Sequence, residues 1–330
     1  MVVPTLAADT AWTECLESLA QQTHREFEVI VVDNSGKSKV RHHDASRIAA
    51  KVLEPGTNLG FGAACNLGFR QSGSPFVATI NDDAVARPEW LEKLISVIED
   101  NPRAGMCASR VEIRGEHRLD SAGMLIAGDG SSKQRGHGES EDRYPDGSEV
   151  LCPSGSAALY RRAMLDEIGM FDESFFLYCE DTDLGLRGRW AGWTCWYVAN
   201  AVVEHRYSHS AGRASPLKAY LVERNRLFLC LKNLPARLLW RVPFYSLARY
   251  FWHAVLLPRG IGKAAEFRQS GMGTLALAGY VVRAHAAMIA AAPRLWRDRR
   301  RTFARARVAP AEFTNLLRRH WISPRQVAAL

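Results

Sequence analysis

An α/β fold, built on a mostly parallel sheet with helices on both faces, is what the first 210 of the 330 residues predict. Short β-branched runs alternate there with helical stretches, the signature of a parallel sheet with crossover helices. Two of those runs end directly on Asp33 and on Asp82-Asp83, at strand carboxyl ends, where open α/β sheets bind ligands. The texture changes after Ser215, where long helical stretches and basic charge take over. This divides the chain into a domain at 1–232 and a helical region at 233–330.

In order along the chain, Val2-Val3 is a short apolar start and residues 10–22 read as an amphipathic helix. Phe27-Glu-Val-Ile-Val-Val32 is a strand ending at the turn Asp33-Asn34-Ser35-Gly36, and Lys51-Val-Leu53 is a third strand. Residues 62–72 are helical, and Phe76–Ile80 is a fourth strand. Pro88 opens a helix to about residue 100, a favoured early position for proline. Residues 105–111 form another strand, and the Gly-, Ser- and charge-rich stretch 128–149 is expected to be a mobile surface loop.

Residues 216–232 form a helix that Leu234-Pro235 breaks, and apolar stretches follow at 242–258 and 272–292. The last is long enough to suggest a membrane span, but Arg283 and His285 sit in its middle. A central Arg costs about 2.5–3.5 kcal/mol even on a lenient insertion scale, which favours an amphipathic helix lying in the membrane interface. The basic, aromatic-interleaved run Arg294–Arg307 follows. Near an anionic leaflet each of its charges contributes roughly 1 kcal/mol; the alternatives are a solvated basic helix or a nucleic-acid contact.

Charge sharpens the division. Residues 1–210 carry 21 Lys/Arg against 31 Asp/Glu, while residues 211–330 carry 22 against 4. An acidic front half suits chemistry and repels phosphate backbones, so nucleic acid is not expected as a partner; a basic rear half suits an anionic membrane surface. Seven scattered cysteines with no CxxC pair argue against a disulfide scaffold and fit a reducing compartment. No signal peptide is visible at the N-terminus.

Five constellations carry candidate chemistry. Pro4-Thr5 closes the first strand and Asp33 the second, where a carboxylate can accept hydrogen bonds from a base or ribose or simply form a turn. Asn58-Leu-Gly60-Phe-Gly62-Ala-Ala-Cys-Asn66 lets backbone approach a ligand at a helix start, where amides favour anions; a tight strand-to-helix turn would need the same glycines. It is neither GxGxxG nor a P-loop. Asn81-Asp82-Asp83 offers hard oxygen ligands suited to Mg²⁺ or Mn²⁺ shared with phosphates, or an ordinary turn. Glu180, Asp181 and Asp183 crowd between the aromatic run Phe175–Tyr178 and an apolar helical pattern, where a base, metal or cationic partner would use them. A plain helix N-terminus is the alternative. His205, in Val202–His209, ends another strand, where a lone histidine is more often a hydrogen-bonded structural residue than a ligand and gains weight only from the carboxylates in front of it.

The order of Val3-Pro4-Thr5, Val31-Val-Asp-Asn34, Asn58–Asn66, Asn81-Asp-Asp83, Ser154-Gly-Ser-Ala-Ala-Leu-Tyr-Arg-Arg162, Phe171-Asp-Glu, Glu180-Asp-x-Asp-Leu184 and His205 resembles family 2 inverting glycosyltransferases of GT-A fold. The resemblance covers residues 2–232 and is strongest to the rhamnosyltransferase-like branch. Glu223-Arg-Asn-Arg226 and the basic tail resemble it more loosely. It implies a Rossmann-like GT-A domain followed by a helical, basic, membrane-associating extension. It implies that Pro4, Thr5, Asp33, Asn34, Asn58, Gly60, Gly62 and Asn66 hold the nucleotide. By the same resemblance Asp83 binds a divalent metal (Mg²⁺ or Mn²⁺) with His205 as a further ligand, and Asp82 lies near sugar or ribose. Asp181 is the implied general base, with Glu180 and Asp183 as its partners or acceptor contacts.

The implied substrates are a UDP- or dTDP-sugar, with rhamnose the sugar of this branch, and a glycan or polyprenyl-diphosphate-linked acceptor in bacterial surface polysaccharide synthesis. The implied location is cytoplasmic, peripheral on the inner face of the plasma membrane. Two other classes stay open: a sugar nucleotidyltransferase, which should carry a Gly-rich basic phosphate signature near its N-terminus, and a non-catalytic nucleotide-sugar-binding membrane adaptor.

Overall fold

A computed structural model describes residues 1–8, 10–42, 50–206, 215–269, 271 and 273–330. The chain begins with β1 (Val2–Thr5), α1 (Ala11–Ala20), β2 (Ile30–Asp33), β3 (Lys51–Leu53), α2 (Phe61–Arg70), β4 (Phe76–Ile80), β5 (Ala84–Ala86) and α3 (Trp90–Asp100). It continues through β6 (Ala104–Ile113), β7 (Leu119–Ser121), β8 (Met124–Ile126), β9 (Ser132–Gln134), β10 (Ser148–Glu149), β11 (Ala157–Arg161), α4 (Arg162–Ile168), α5 (Glu180–Trp190) and β12 (Thr194–His205). Helices follow: α6 (Pro216–Asn233), α7 (Ala236–Leu239), α8 (Val242–Leu256), α9 (Lys263–Gln269), α10 (Thr274–Ala304), α11 (Pro310–Arg319) and α12 (Pro324–Ala329). Two compact units form, one from Met1–Met124, Gln134–Gly188 and Trp193–Ser210, the other from Leu125–Lys133, Arg189–Gly192 and Ala211–Leu330.

In the first unit, one sheet runs in the order β10-β12-β6-β11-β4-β1-β2-β3, with β5 on β12 and β7 on β6. The pairs β4-β1, β1-β2, β2-β3 and β6-β12 are parallel, and β11 is inserted antiparallel between β4 and β6. Alternation along each strand sends side chains to opposite faces. Val3, Val31 and Ile80 face a core that includes Trp12, Leu16 and Leu19 of α1 and Trp90, Leu94 and Ile98 of α3, whose spacing follows the helical period. Val2 faces the opposite way, against Gly68 of α2, where an added Cβ would come within 2.5 Å of its methyl. Both faces are thus covered.

Register levels the ends of the central strands. Thr5 pairs with Asp33 and Val2 with Thr79, so Thr5, Asp33 and the Asn81–Asp83 turn leave the sheet side by side.

Two expectations for this region change. The strand expected from Phe27 begins at Ile30, because Phe27 packs against the core outside the ladder. The stretch 128–149 is not one loop: it contains β9 and β10, and Asp129 and Ser131 are buried. The polar residues drawn into its covered part are paired. Arg135, for example, donates to the Ala122 carbonyl at 2.8 Å and lies 4.4 Å over the Tyr144 ring.

In the second unit α6 packs along α10 and α8 along α12. Trp190 stacks on Phe313, ring centroids 3.8 Å apart, and its indole N–H donates to the Asn233 carbonyl at 2.8 Å. The apolar and basic stretches expected separately at 272–292 and 294–307 form the single helix α10, which runs through Pro293. Its basic half is held by packing: Leu295 is fully buried, and Arg299 donates to the Leu231 and Leu234 carbonyls that end α6. Ala276–Ala304 is long and apolar enough to cross a membrane by length and composition, with a mean hydropathy of 1.2 over its most apolar window. All seven cysteines are buried and none forms a disulfide.

Candidate active site

The crevice at the strand ends is built from short polar links. Thr5 Oγ1 donates to Asp82 Oδ2 at 2.6 Å and accepts from the Ala7 amide. Pro4 is buried within β1. Asp33 accepts from the Ser35 and Val40 amides; burial alone would raise its carboxyl, but these bonds hold it below its ordinary value. Asn34 locks the next turn, donating to Asn58 Oδ1 at 3.0 Å and accepting from the Leu59 amide at 2.7 Å. Asn58 Oδ1 in turn accepts from the Gly60 amide. Thr5, Asp33, Asn34, Asn58, Gly60 and Asp82 are therefore gathered at one end of the sheet. Asn66 is used differently. Its amide bridges the Phe171 backbone N–H and C=O and reaches Glu173, tying α2 to the segment before α5.

Gly60 has φ +82°, and a Cβ there would fall 2.2 Å from the Phe176 carbonyl, so only glycine fits. That carbonyl accepts from the Phe61 amide at 2.8 Å. Gly62 lies against Phe171 and Glu180. The start of α2 thus cradles the loop that leads into α5, and in that loop Phe176, Tyr178 and Cys179 all have positive φ.

Asp83 and His205 come together. His205 Nε2 lies 3.1 Å from Asp83 Oδ1, while its Nδ1 lies 2.8 Å from Asp120 Oδ2. Asp83 Oδ1 is enclosed and accepts no well-aligned hydrogen bond. Burial would lower the His205 pKa, but the bonds and charges of Asp120 and Asp83 push it up to about 10. Burial would raise Asp120, yet hydrogen bonds from His137 and His205 hold it down at about 2. A histidine oriented by a carboxylate on one nitrogen, with a second carboxylate 3.1 Å from the other, is a donor set that would suit a divalent metal once the metal displaces the Nε2 proton. Among the described residues no three His, Cys, Asp or Glu groups converge into a complete cage. Such a partial set fits Mg²⁺ or Mn²⁺, which take phosphate oxygens and water for the rest. Asp120 was not anticipated from the sequence, where it stands in a featureless Leu119-Asp-Ser121.

The acidic triplet separates into three environments. Asp181 Oδ2 accepts from the Gly155 amide at 2.9 Å and Oδ1 from the Thr182 amide at 2.6 Å. Burial nevertheless raises its pKa above the ordinary carboxylate value. The Gly155-Ser156 segment that grips it also accepts from the Asn81 amide and from Thr79 Oγ1, which couples Asp181 to the strand end beside Asp83. Gly155 is the second group the sequence did not single out for a role. It acts through its backbone N–H, which leaves no trace in residue type. Asp183 is fully buried and pairs with Arg187 at 2.9 Å; Arg187 in turn holds the carbonyls of Ile168, Gly169 and Met170.

Glu180 is 5% exposed, and its Oε2 has no hydrogen-bond partner. Burial, then the charges of Asp181 and Asp183, push its carboxyl up to about 8 from an ordinary 4.5. Below pH 4.5 it is protonated in both folded and unfolded chains. Between 4.5 and 8 the unfolded chain releases its proton while the folded chain keeps it, so stability falls through that window by a few kcal/mol. Glu180→Gln is expected to flatten this decline. Melting temperatures across that range check it, and parallel curves for wild type and variant would refute it.

A model of the family "Glycosyl transferase family 2" matches residues 1–169, just over half of the chain. The chain belongs to glycosyl transferase family 2. Among curated relatives of this family 2 chain, the N-acetylglucosaminyl-diphospho-decaprenol L-rhamnosyltransferase of Mycobacterium tuberculosis is 32% identical over 231 residues, 62% of this chain and 75% of that protein. The O-antigen chain rhamnosyltransferase RfbN of Salmonella typhimurium is 22% identical over 217 residues, 64% of this chain and 67% of that protein. These similarities lie in the rhamnosyltransferase-like branch.

The fold is also that of solved structures at lower identity. GalNAc-T7 with UDP, GalNAc and Mn²⁺ superposes with TM-score 0.60 at 13% identity, over 76% of this chain and half of the other. S. aureus TarS with UDP-GlcNAc gives 0.52 at 20%, over 95% and 90%. The architecture is GT-A, followed by a helical extension.

Proposed function

We propose that this family 2 chain transfers a sugar, rhamnose on the strength of its relatives, from a UDP- or dTDP-linked donor to a hydroxyl of a glycan or polyprenyl-diphosphate-linked acceptor, with inversion. The observation that carries the reading is Asp181. It is a half-buried carboxylate fixed by two backbone N–H groups, with a raised pKa, coupled through Gly155-Ser156 to the Asp83 end of the sheet. Its Oδ1 accepts from both the amide and the hydroxyl of Thr182, while Oδ2, bonded to the Gly155 amide, keeps a lone pair for a substrate proton.

The chain's parts then have these roles. Thr5, Asp33, Asn34, Asn58 and the Gly60 turn receive the nucleotide, with Pro4 and Gly62 shaping the walls and Asp82 beside the ribose or sugar. Asp83 and His205 would hold a divalent metal, which when bound supplies charge neutralisation for the departing diphosphate. Asp181 removes the acceptor proton as the hydroxyl attacks from the face opposite the leaving group, which gives a single displacement and inversion. Asn66 and Asp183 position rather than react, through the Phe171 backbone and Arg187. Glu180, protonated near neutrality, adds no second negative charge beside the base. The lipid-linked acceptor of the mycobacterial relative and the basic helical unit support a peripheral position on the cytoplasmic face of the membrane in cell-wall polysaccharide synthesis.

Thermal protection by a panel of UDP- and dTDP-sugars, with and without Mg²⁺ or Mn²⁺, tests the reading. A native donor at a hundredfold excess over its Kd stabilises by about 2.7 kcal/mol. That protection is expected to be metal-dependent, and Asp83→Asn to remove the metal-dependent part. Equal protection by every sugar nucleotide with no metal effect would overturn it. Donor-dependent protection without acceptor-dependent release of nucleoside diphosphate would favour the adaptor.

A further inference from the structure

Helix α8 presents two unlike faces. Val242, Ser246, Arg249 and Leu256 are buried, α12 packs along the helix, and Arg325 lies 5.1 Å over the Trp252 ring. Trp240, just before α8, and Phe244, Leu247 and Phe251 within it are each 61–64% exposed. Their spacing of four, three and four residues sets them in one stripe, roughly 16 Å long at 1.5 Å per residue. Trp240 and Phe244 meet edge to face at 6.0 Å, so the stripe is continuous at its start. Contiguous exposed aromatic surface of this kind marks an interaction site.

The rim of the stripe identifies the partner. Arg241 and Arg259 are exposed at its two ends, and from Arg224 to Ala265 the chain contains no Asp or Glu. An apolar stripe in a segment whose only charges are cationic complements a layer of anionic headgroups over acyl chains. Helix α10, where the sequence pointed, is less suited. Its exposed Val282, Ile289 and Trp296 stand seven residues apart, with Arg283, Ala286, Ala290 and Pro293 exposed between them.

We propose that α8 lies in the interface of an anionic lipid bilayer, with Trp240, Phe244, Leu247 and Phe251 among the acyl chains and Arg241 and Arg259 at the phosphates. This deepens the reading that the acceptor is lipid-linked. The full chain is sedimented with vesicles of phosphatidylglycerol and phosphatidylcholine (equal parts), and with phosphatidylcholine alone. The wild type is expected to bind the anionic vesicles more strongly. The triple variant Phe244→Ser, Leu247→Ser, Phe251→Ser is expected to lose tenfold or more in partitioning, with an unchanged melting temperature. Val282→Ser with Ile289→Ser on α10 is expected to lose less than the triple variant.

Equal binding by wild type and the triple variant, or no vesicle binding by the wild type, would overturn the proposal. So would a triple variant that dissociates a dimer without changing vesicle binding, since the stripe would then join two copies of the chain. Donor-dependent thermal protection is measured on the same samples. Its absence from the wild type would count against the catalytic reading and leave the role of α8 standing.

Discussion

Asp181→Asn is expected to lower the rate of sugar transfer by about 10³-fold while donor binding changes less than threefold. An acceptor hydroxyl has a pKa far above 7 and attacks only as its proton leaves, so loss of the accepting carboxylate falls on the chemical step. In the proposed reading, donor affinity is set elsewhere, by the strand-end residues and the Gly60 turn. Asparagine must turn its NH₂ toward either the Gly155 or the Thr182 amide, so the variant's melting temperature has to accompany the kinetics. Because burial raises the pKa of Asp181, wild-type activity should fall on acidification at a pH above that of an ordinary carboxylate. A variant that turned over at the wild-type rate would remove Asp181 from the mechanism.

Glu223→Ala is expected to destabilise the helical unit by about 3–5 kcal/mol, the cost of breaking a buried ion pair from one side. Arg226, Asp129, Glu223 and Arg249 are all at most 8% exposed. Arg249 bridges Glu223 at 2.8 Å and Asp129 at 2.7 Å, and Arg226 bonds Glu223, Tyr250 OH, Ser246 Oγ and the Asp129 carbonyl. Removing Glu223 leaves two enclosed guanidinium groups facing one carboxylate. Burial would raise the Glu223 carboxyl, but Arg249 and Arg226 hold it far below 4.5. Its contribution is therefore present above pH 4.5 and lost on acidification, opposite in sign to that of Glu180. The denaturant midpoint at neutral pH checks the size, and Glu223→Leu with Arg226→Met should recover much of the loss. A midpoint unchanged by Glu223→Ala would show that water or rearrangement already compensates these charges.

The parts of the site legible in the sequence were those whose position follows from local pattern. Thr5, Asp33 and Asp82-Asp83 stand where β-branched runs stop, and a parallel sheet brings such stops together. Gly60 was legible as a turn residue, although the Phe176 carbonyl that excludes any other side chain is 116 positions away. Asp120 was not legible, because it reaches His205 only through the pairing of β7 with β6, and that register is written nowhere near it. The fold erred for a related reason at 128–149, where polar residues usually mean solvent. Asp129 instead supplies half of the buried negative charge of an ion network whose other members lie on α6 and α8. On α8 the sequence shows only an apolar stretch, and the packing distinguishes the covered face from the bare one.

The three left-handed residues before α5 have a consequence for how the site answers its ligands. Phe176, Tyr178 and Cys179 each give up about 1–2 kcal/mol to stand at positive φ, and the segment persists because contacts such as the Gly60–Phe61 cradle hold it there. A ligand that tightens that cradle therefore also steadies the first turn of α5, where Asp181 sits. Thermodynamic reciprocity then requires the converse: whatever settles against Asp181 must tighten the grip at Gly60 by the same factor. With the donor at Gly60 and the acceptor at Asp181 as proposed, each would be felt by the other through a strained hinge, without touching.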